Sequence, residues 1–174
     1  MAINADFIVL EDGTKAKKAG EMVYEGSPLT LHTDGSLKLA GPTDKVYGLS
    51  KLDSNSYRDF AFGEFGAFGS GQLTVVVQGQ VSVSPSIFNQ IEITTATLPV
   101  GSTVVVPLYD DSKDYVPGQA LYVATVTGVN VISNTPSDNT SLFARVLQPH
   151  LHGTGGALVI ELLPMASTVK TEMK

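Results

Sequence analysis

Residues 29–39 read Leu-Thr-Leu-His-Thr-Asp-Gly-Ser-Leu-Lys-Leu, two short runs of alternating leucines on either side of a polar segment. Alternation with period two is typical of a strand that buries one face. The Asp34-Gly35 pair between the runs readily supplies the positive φ values of a tight turn. The stretch therefore predicts a β-hairpin of two short strands.

Short alternating runs of this kind recur along the whole chain, separated by glycines and prolines. Val, Ile and Thr account for 43 of the 174 residues, and their branched side chains suit a pleated sheet. The 17 glycines and 9 prolines argue against long helices. Ser84-Pro85 suits the start of a single helical turn. We predict an all-β fold of about ten short strands.

The chain divides into an extended N-terminal arm at residues 1–20, a β domain at 21–164 and a flexible C-terminal tail at 165–174. The arm carries an apolar run that begins with Phe7 and Ile8 and is followed by a Lys-rich stretch. An isolated strand cannot bury both of its faces. We therefore expect the arm to order against a neighbouring subunit, with Phe7 and Ile8 at a partner interface.

Charge and cysteine content restrict the possible functions. The net charge is −6 and the pI is about 4.9, so eleven basic residues cannot neutralise a phosphate backbone, and we expect no direct nucleic-acid binding. Without cysteine there is neither a disulfide framework nor a thiolate metal site. No stretch approaches the roughly 20 apolar residues of a membrane span, and no export signal is evident. We expect a soluble protein with no membrane partner.

The order of glycines and strands repeats faintly within the chain. One unit runs from Gly26 through the Asp34-Gly35 turn to Val46-Tyr-Gly-Leu, and the other runs from Gly118 through Gly128 to the strand at Leu142. Two interpretations remain open. The similarity of the two units reflects a true internal duplication, or it is only the spacing of glycines and turns that is common in β-rich chains.

Three segments of the chain resemble the small β-rich decoration (cementing) proteins of tailed-bacteriophage heads. They are the Gly-strand-turn-strand unit that ends in Val46-Tyr-Gly-Leu, the segment Gly71-Gln-Leu-Thr-Val-Val-Val-Gln-Gly-Gln-Val-Ser-Val, and Pro117-Gly-Gln-Ala-Leu-Tyr-Val with Arg145-Val-Leu. The resemblance covers roughly residues 20–164 and is one of pattern. It implies a compact β-barrel or β-tulip/sandwich that forms homotrimers on the capsid exterior, binds the major capsid protein and bridges neighbouring capsomers.

His150 and His152 are the strongest metal-ligand signal, because residues i and i+2 of a strand point to one face. No third ligand is close in sequence, so a polar loop before the last strand is the favoured interpretation. Asp110, Asp111 and Asp114 lack the pattern of an EF-hand loop, and a polar turn is expected there. We predict no metal and no cofactor.

Catalytic motifs are not evident. The glycine-rich segments are not followed by Lys-Ser/Thr, Phe68-Gly-Ser70-Gly-Gln is only a near miss of the nucleophile elbow, and the chain has no tryptophan to serve as a sugar platform. We predict no catalytic residues and no enzymatic activity.

The segment from Tyr57 to Gly69 holds four of the seven phenylalanines, interleaved with glycines and charged residues. Aromatic anchors concentrate binding energy at interfaces, although such side chains also plug the ends of barrels. Because charges are hard to bury unpaired, we place Phe65 and Phe68 at a partner interface and expect Phe60 and Phe62 to point inward.

Two functions from other classes are alternatives to capsid decoration. The first is a carbohydrate- or receptor-binding β-sandwich module of a virion fibre, in which exposed Tyr109, Tyr115 and Tyr122 would supply stacking faces. The second is a metal-dependent β-barrel enzyme that rests only on His150 and His152. A decoration protein, assembled in the host cytoplasm and carried on the virion, is the function we expect.

Overall fold

The computed structural model describes residues 3–4, 10–16, 23, 25–50, 72–90, 103–136 and 139–164. Its twelve strands are β1 (Ile3–Asn4), β2 (Leu10–Ala16), β3 (Pro28–Leu31), β4 (Leu37–Leu39), β5 (Gly48–Ser50), β6 (Gln72–Val83), β7 (Ser86–Gln90), β8 (Thr103–Pro107), β9 (Ala120–Val126), β10 (Val129–Ser133), β11 (Ala144–Val146) and β12 (Leu158–Leu162). Within these ranges the only helix is a 3-10 turn at Asn139–Ser141. The all-β prediction is confirmed.

Eight strands form one open, curled sheet in the order β10-β9-β11-β12-β6-β5-β3-β4, which makes a half-barrel. The barrel of the predicted fold is therefore present in open form. β7 and β8 form a separate two-stranded sheet. The helical turn expected after Ser84-Pro85 is wrong, because Ser86 begins β7 and pairs with Pro107 of β8.

Two strands of the N-terminal segment pair with β6 of the same chain. Ile3 of β1 lies opposite Val83, and Lys15 of β2 lies opposite Leu73. The register of β2 shifts twice along its length, so its pairing is interrupted by bulges. The predicted interface residues Phe7 and Ile8 lie outside the described residues.

The β3–β4 hairpin is confirmed, and its turn differs from the simplest form. The His32 N–H donates to the Ser36 carbonyl at 2.7 Å, and the Gly35 N–H donates to the His32 carbonyl at 2.9 Å. Gly35 has a φ of 83°, whereas Asp34 is not among the residues with positive φ. The hairpin therefore closes through a turn with one left-handed glycine rather than two left-handed residues.

Four strands of the first half of the chain and four of the second half pair in the same way. The first unit has the order β4-β3-β5-β6 and the second has β10-β9-β11-β12, with β6 and β12 joined antiparallel at the centre. The strand order of the sheet is thus a palindrome. This is the strand order that two units related by a local twofold axis between the antiparallel strands β6 and β12 would have.

The backbone hydrogen bonds of the units match individually. Gly26, with a φ of 89°, donates its N–H to Ser50 O at 2.7 Å, and Gly118, with a φ of 88°, donates to Val146 O at 2.8 Å. One left-handed glycine therefore opens each unit and ties its first strand to its third.

The match continues further along the same strands. Tyr47 N–H donates to Leu29 O at 2.6 Å, and Phe143 N–H donates to Leu121 O at 3.2 Å. Common turn residues alone would not reproduce the same partners at the same register. The geometry therefore favours internal duplication, the first of the two interpretations left open by the sequence.

The main apolar core is shared by both units. It includes Leu49 and Val76 from the first unit and Leu121, Val123 and Ile160 from the second, all of which are fully buried. Because one core spans the central β6–β12 pair, the two units form a single folding domain. A smaller cluster around Leu29, Leu37 and Val75 lies within the first unit.

Candidate functional site

The loop before β9 and the loop before β12 meet at one end of the second unit. Tyr115 and His150 form an isolated antiparallel bridge, with Tyr115 N–H to His150 O at 2.8 Å and His150 N–H to Tyr115 O at 3.0 Å. Around this bridge lie residues 110–118 and 147–157, which we call the loop tip. It carries most of the residues that the sequence singled out for metal chemistry.

A buried aromatic cluster of Tyr109 with the loop-tip residues Tyr115 and His150 holds the two loops together. The Tyr109 and Tyr115 rings meet edge to face with centroids 6.0 Å apart, and the His150 ring lies 5.3 Å from Tyr109. Edge-to-face contacts of this kind add to the stabilisation from apolar burial. Both tyrosines are buried, so the prediction that they offer exposed stacking faces for a sugar is wrong.

Hydrogen bonds fix the polar ends of the same cluster. The Tyr109 hydroxyl donates to the Gly156 carbonyl at 2.5 Å and lies 3.1 Å from His150 Nε2. His150 Nε2 is also 3.1 Å from Asp111 Oδ1. Because the hydroxyl proton is engaged by Gly156, we assign a proton to Nε2, which then faces two acceptors. The loop before β12 is thereby pinned to the loop before β9.

Burial also changes the acidity of both phenols. Desolvation, followed by the charge of Asp111, raises the pKa of Tyr109 above its usual range. Desolvation, followed by the charge of Asp110, raises the pKa of Tyr115, whose hydroxyl donates to Asp110 O at 2.7 Å. Both groups are therefore neutral hydrogen-bond donors at physiological pH, which suits a structural role.

His150 and His152 do not share a face. His150 is buried beside Asp111, whereas the side chain of His152 is 67% exposed and pairs with Asp114, with Nδ1 to Oδ1 at 2.7 Å. The backbone N–H of His152, and then its ring, lower the pKa of the Asp114 carboxyl. No group of three potential metal ligands occurs among the described residues. The two histidines thus contact different aspartates, Asp111 for His150 and Asp114 for His152.

Asp110 to Asp114 form the polar turn that the sequence predicts. Asp110 Oδ1 accepts hydrogen bonds from the Ser112 N–H at 3.1 Å and from the Ser112 hydroxyl at 2.5 Å. The side chain of Asp110 caps its own turn in this way, as aspartates commonly do. It is consequently occupied within the loop.

Two large aliphatic side chains stand out from the loop tip into solvent. Val116 follows the bridge residue Tyr115 and is 56% exposed, and Leu151 follows His150 and is 65% exposed. Both sit next to a residue whose side chain is buried and hydrogen-bonded. Sequence reasoning missed this pair, although the exposed apolar residues lie directly beside the motifs that it examined.

The predicted interface residues Phe65 and Phe68 lie outside the described residues, as do Phe60 and Phe62. They belong to the connection between β5 and β6, which corresponds in the repeat to the connection between β11 and β12. That second connection contains Leu151. The prediction for the phenylalanines therefore stays a prediction.

Comparison with known proteins does not identify the chain. No family model matches it, and a search of curated proteins finds no significant match. In the part of the chain that the structure describes, no helix has the length and apolar character needed to cross a membrane.

Proposed function

We propose that this chain is a structural protein of a tailed-bacteriophage virion, which decorates the capsid exterior and stabilises the shell by bridging neighbouring capsomers. The proposal combines the sequence resemblance given above with the loop tip. Its partners are the major capsid protein and further copies of the chain in a homotrimer.

The observation that carries the proposal is the exposure of Val116 and Leu151 on two loops that hydrogen bonds join. Exposed aliphatic side chains gain binding energy when a partner covers them. The gain is largest when the loops need not become ordered on binding. The Tyr109, Tyr115 and His150 cluster beneath them supplies that preorganisation. Tyr109 joins the two loops through its contacts with His150 and Gly156, and the Tyr115 hydroxyl holds its own loop by donating to Asp110 O.

The mechanism is stabilisation by binding. A protein that binds only the assembled shell shifts the equilibrium toward that shell by mass action. Three linked copies multiply a modest contact through their effective concentration. The covered area on each subunit can therefore be small.

The test measures binding to purified capsids of the virus that encodes the chain. Wild-type protein should co-sediment with them at a saturating ratio and raise the temperature at which they disrupt. Leu151→Ser and Val116→Ser should each weaken binding at least tenfold without changing the unfolding temperature of the free protein. Val105→Ser is the matched control, because Val105 is 53% exposed on β8 and is not a residue of the loop tip.

Two results would overturn the proposal or part of it. If wild-type protein leaves capsids unbound and their heat stability unchanged, the decoration function is wrong. If binding persists but light scattering gives a mass near 18.3 kDa rather than three times that value, the homotrimer is wrong.

A further inference from the structure

The two units of the repeat differ most in their first hairpins. The pair Leu31–Leu37 in the first unit corresponds to Val123–Ile132 in the second. The first hairpin turns immediately after this pair, whereas the second continues through three more residue pairs, ending at Val126–Val129. We call residues 124–131 the hairpin extension.

The extension reaches the first unit and builds a pocket of about 230 Å³ against it. Gly128, Val129 and Asn130 of the extension line it, together with residues of the first unit such as Leu39 and Ala40 and with residues 106–108. The pocket thus lies where the duplicated halves depart from their common pattern. A cavity that an addition to one copy of a repeat creates between the copies is a candidate binding site.

Backbone strain occurs at the same place. Thr127 is the only non-glycine residue with positive φ, at 48°, in the described chain, and it forms the turn of the extension with Gly128, whose φ is 80°. Positive φ at both positions is what a two-residue hairpin turn between Val126 and Val129 requires, although a β-branched residue is unfavourable there.

The lining indicates the chemistry of the ligand. None of the ten described residues around the pocket is charged, and most are aliphatic or proline. The polar groups are the Ser27 hydroxyl and the Asn130 amide. Asn130 Oδ1 accepts a hydrogen bond from Thr125 Oγ1 at 2.8 Å, and its amide nitrogen lies on the side of Gly41, 3.9 Å from where a Cβ of that residue would stand and next to the lining residue Ala40. The amide nitrogen is therefore the donor that Asn130 offers to a ligand.

We propose that this pocket binds a small, uncharged ring compound that carries one hydrogen-bond acceptor. A dry aliphatic cavity of about 150 Å³ holds benzene, so a pocket half as large again suits about nine non-hydrogen atoms. Apolar burial supplies the affinity, and the Asn130 amide selects the acceptor. The site is separate from the loop tip and independent of capsid binding.

Acetophenone and isopropylbenzene provide a matched pair of probes, because they are similar in size and only the former carries a carbonyl acceptor. Titration of the full chain, followed by amide NMR shifts, should saturate for both at millimolar concentrations or below, with the largest shifts at Ala40, Gly128 and Asn130. Acetophenone should bind roughly fivefold more tightly, as expected for one neutral hydrogen bond. Asn130→Ala should abolish that preference.

Filling the pocket supplies the second arm of the test. Val129→Phe should weaken both probes at least tenfold, while Val116→Phe, the same change at an exposed site outside the pocket, should leave them unchanged. If Val129→Phe does not fold, Ala40→Val takes its place. Shifts that fail to saturate, that map elsewhere, or that survive both filling substitutions would overturn the proposal.

Discussion

The Tyr109 hydroxyl lies 3.1 Å from Nε2 of His150, a residue 41 positions later in the chain, and its proton is donated to Gly156. This contact joins the two loops of the loop tip. Removing a buried hydroxyl that contacts both a histidine and a carbonyl costs more free energy than the net contribution of the two hydrogen bonds. The reason is that two buried polar groups are left without a partner.

Tyr109→Phe should therefore lower the free energy of unfolding by about 1–3 kcal/mol. Urea denaturation followed by circular dichroism measures the change. Tyr122→Phe is the control, since Tyr122 is only partly buried and should change stability by less than about 0.5 kcal/mol. Equal effects of the two substitutions would contradict the importance of the Tyr109 network.

Stability should fall as the pH rises above about 10. The folded protein raises the pKa of Tyr109 and Tyr115, so the unfolded chain loses these protons first and binds fewer protons in that range. The contribution is complete below the unfolded pKa of about 10 and is lost as the pH rises toward the folded values.

Unfolding free energies measured between pH 8 and pH 11.5 test this expectation. The slope should be shallower in a Tyr109→Phe variant, which removes one of the two groups. A wild-type protein whose free energy of unfolding does not change above pH 10 would show that folding does not raise the pKa values of the two phenols.

Gly48 is required by a close approach of strands. A Cβ at this position would lie 2.6 Å from Val75 Cγ1 and would also clash with the backbone carbonyl oxygen of Val76. Gly48→Ala should destabilise the protein by about 2 kcal/mol or more, because β5 would have to move away from β6.

Gly41→Ala is the matched control for Gly48. There a Cβ would meet its nearest atom, Asp44 Oδ2, at 3.5 Å, which is an ordinary contact. We expect a change within about 0.5 kcal/mol. Thermal unfolding of both variants settles the comparison, and similar midpoints would indicate that β5 shifts freely.

Relieving the strained turn should stabilise the protein. Thr127→Asn should raise the free energy of unfolding by about 0.5–1 kcal/mol, because asparagine tolerates the left-handed conformation that Thr127 adopts. Thr127→Ala, which keeps a Cβ without the local hydrogen bonding of asparagine, should change it little. A destabilised Thr127→Asn would show that the threonine side chain makes a contact that outweighs the strain.

Phe68→Ala should leave folding intact and weaken assembly. If Phe68 is a contact anchor, the thermal midpoint of the isolated subunit stays constant, while oligomer or capsid affinity falls by more than about 2 kcal/mol, some thirtyfold. Phe62→Ala, at a position expected to point inward, should instead cost about 3–5 kcal/mol of folding stability. Loss of folding with Phe68→Ala, with assembly intact in the folded fraction, would refute the assignment.

The sequence by itself determined the strand class and many of the turns. Alternating leucines and the Asp34-Gly35 pair predicted the first hairpin, and the spacing of Gly26 and Gly118 suggested the repeat. These features are readable because they depend on local backbone preferences: period-two burial, branched side chains and left-handed glycines. They require no knowledge of what lies across the sheet.

Only the tertiary structure decided which side chains are buried and which strands meet. The polar segment from Leu10 to Ala16 forms β2 because it pairs with β6, whereas its own composition does not favour a strand. Tyr109 is buried and Leu151 exposed because two distant loops meet at the Tyr115–His150 bridge. Burial depends on contacts between residues far apart in sequence, so local pattern determined the elements, and the palindromic assembly of the sheet determined the loop tip and the pocket.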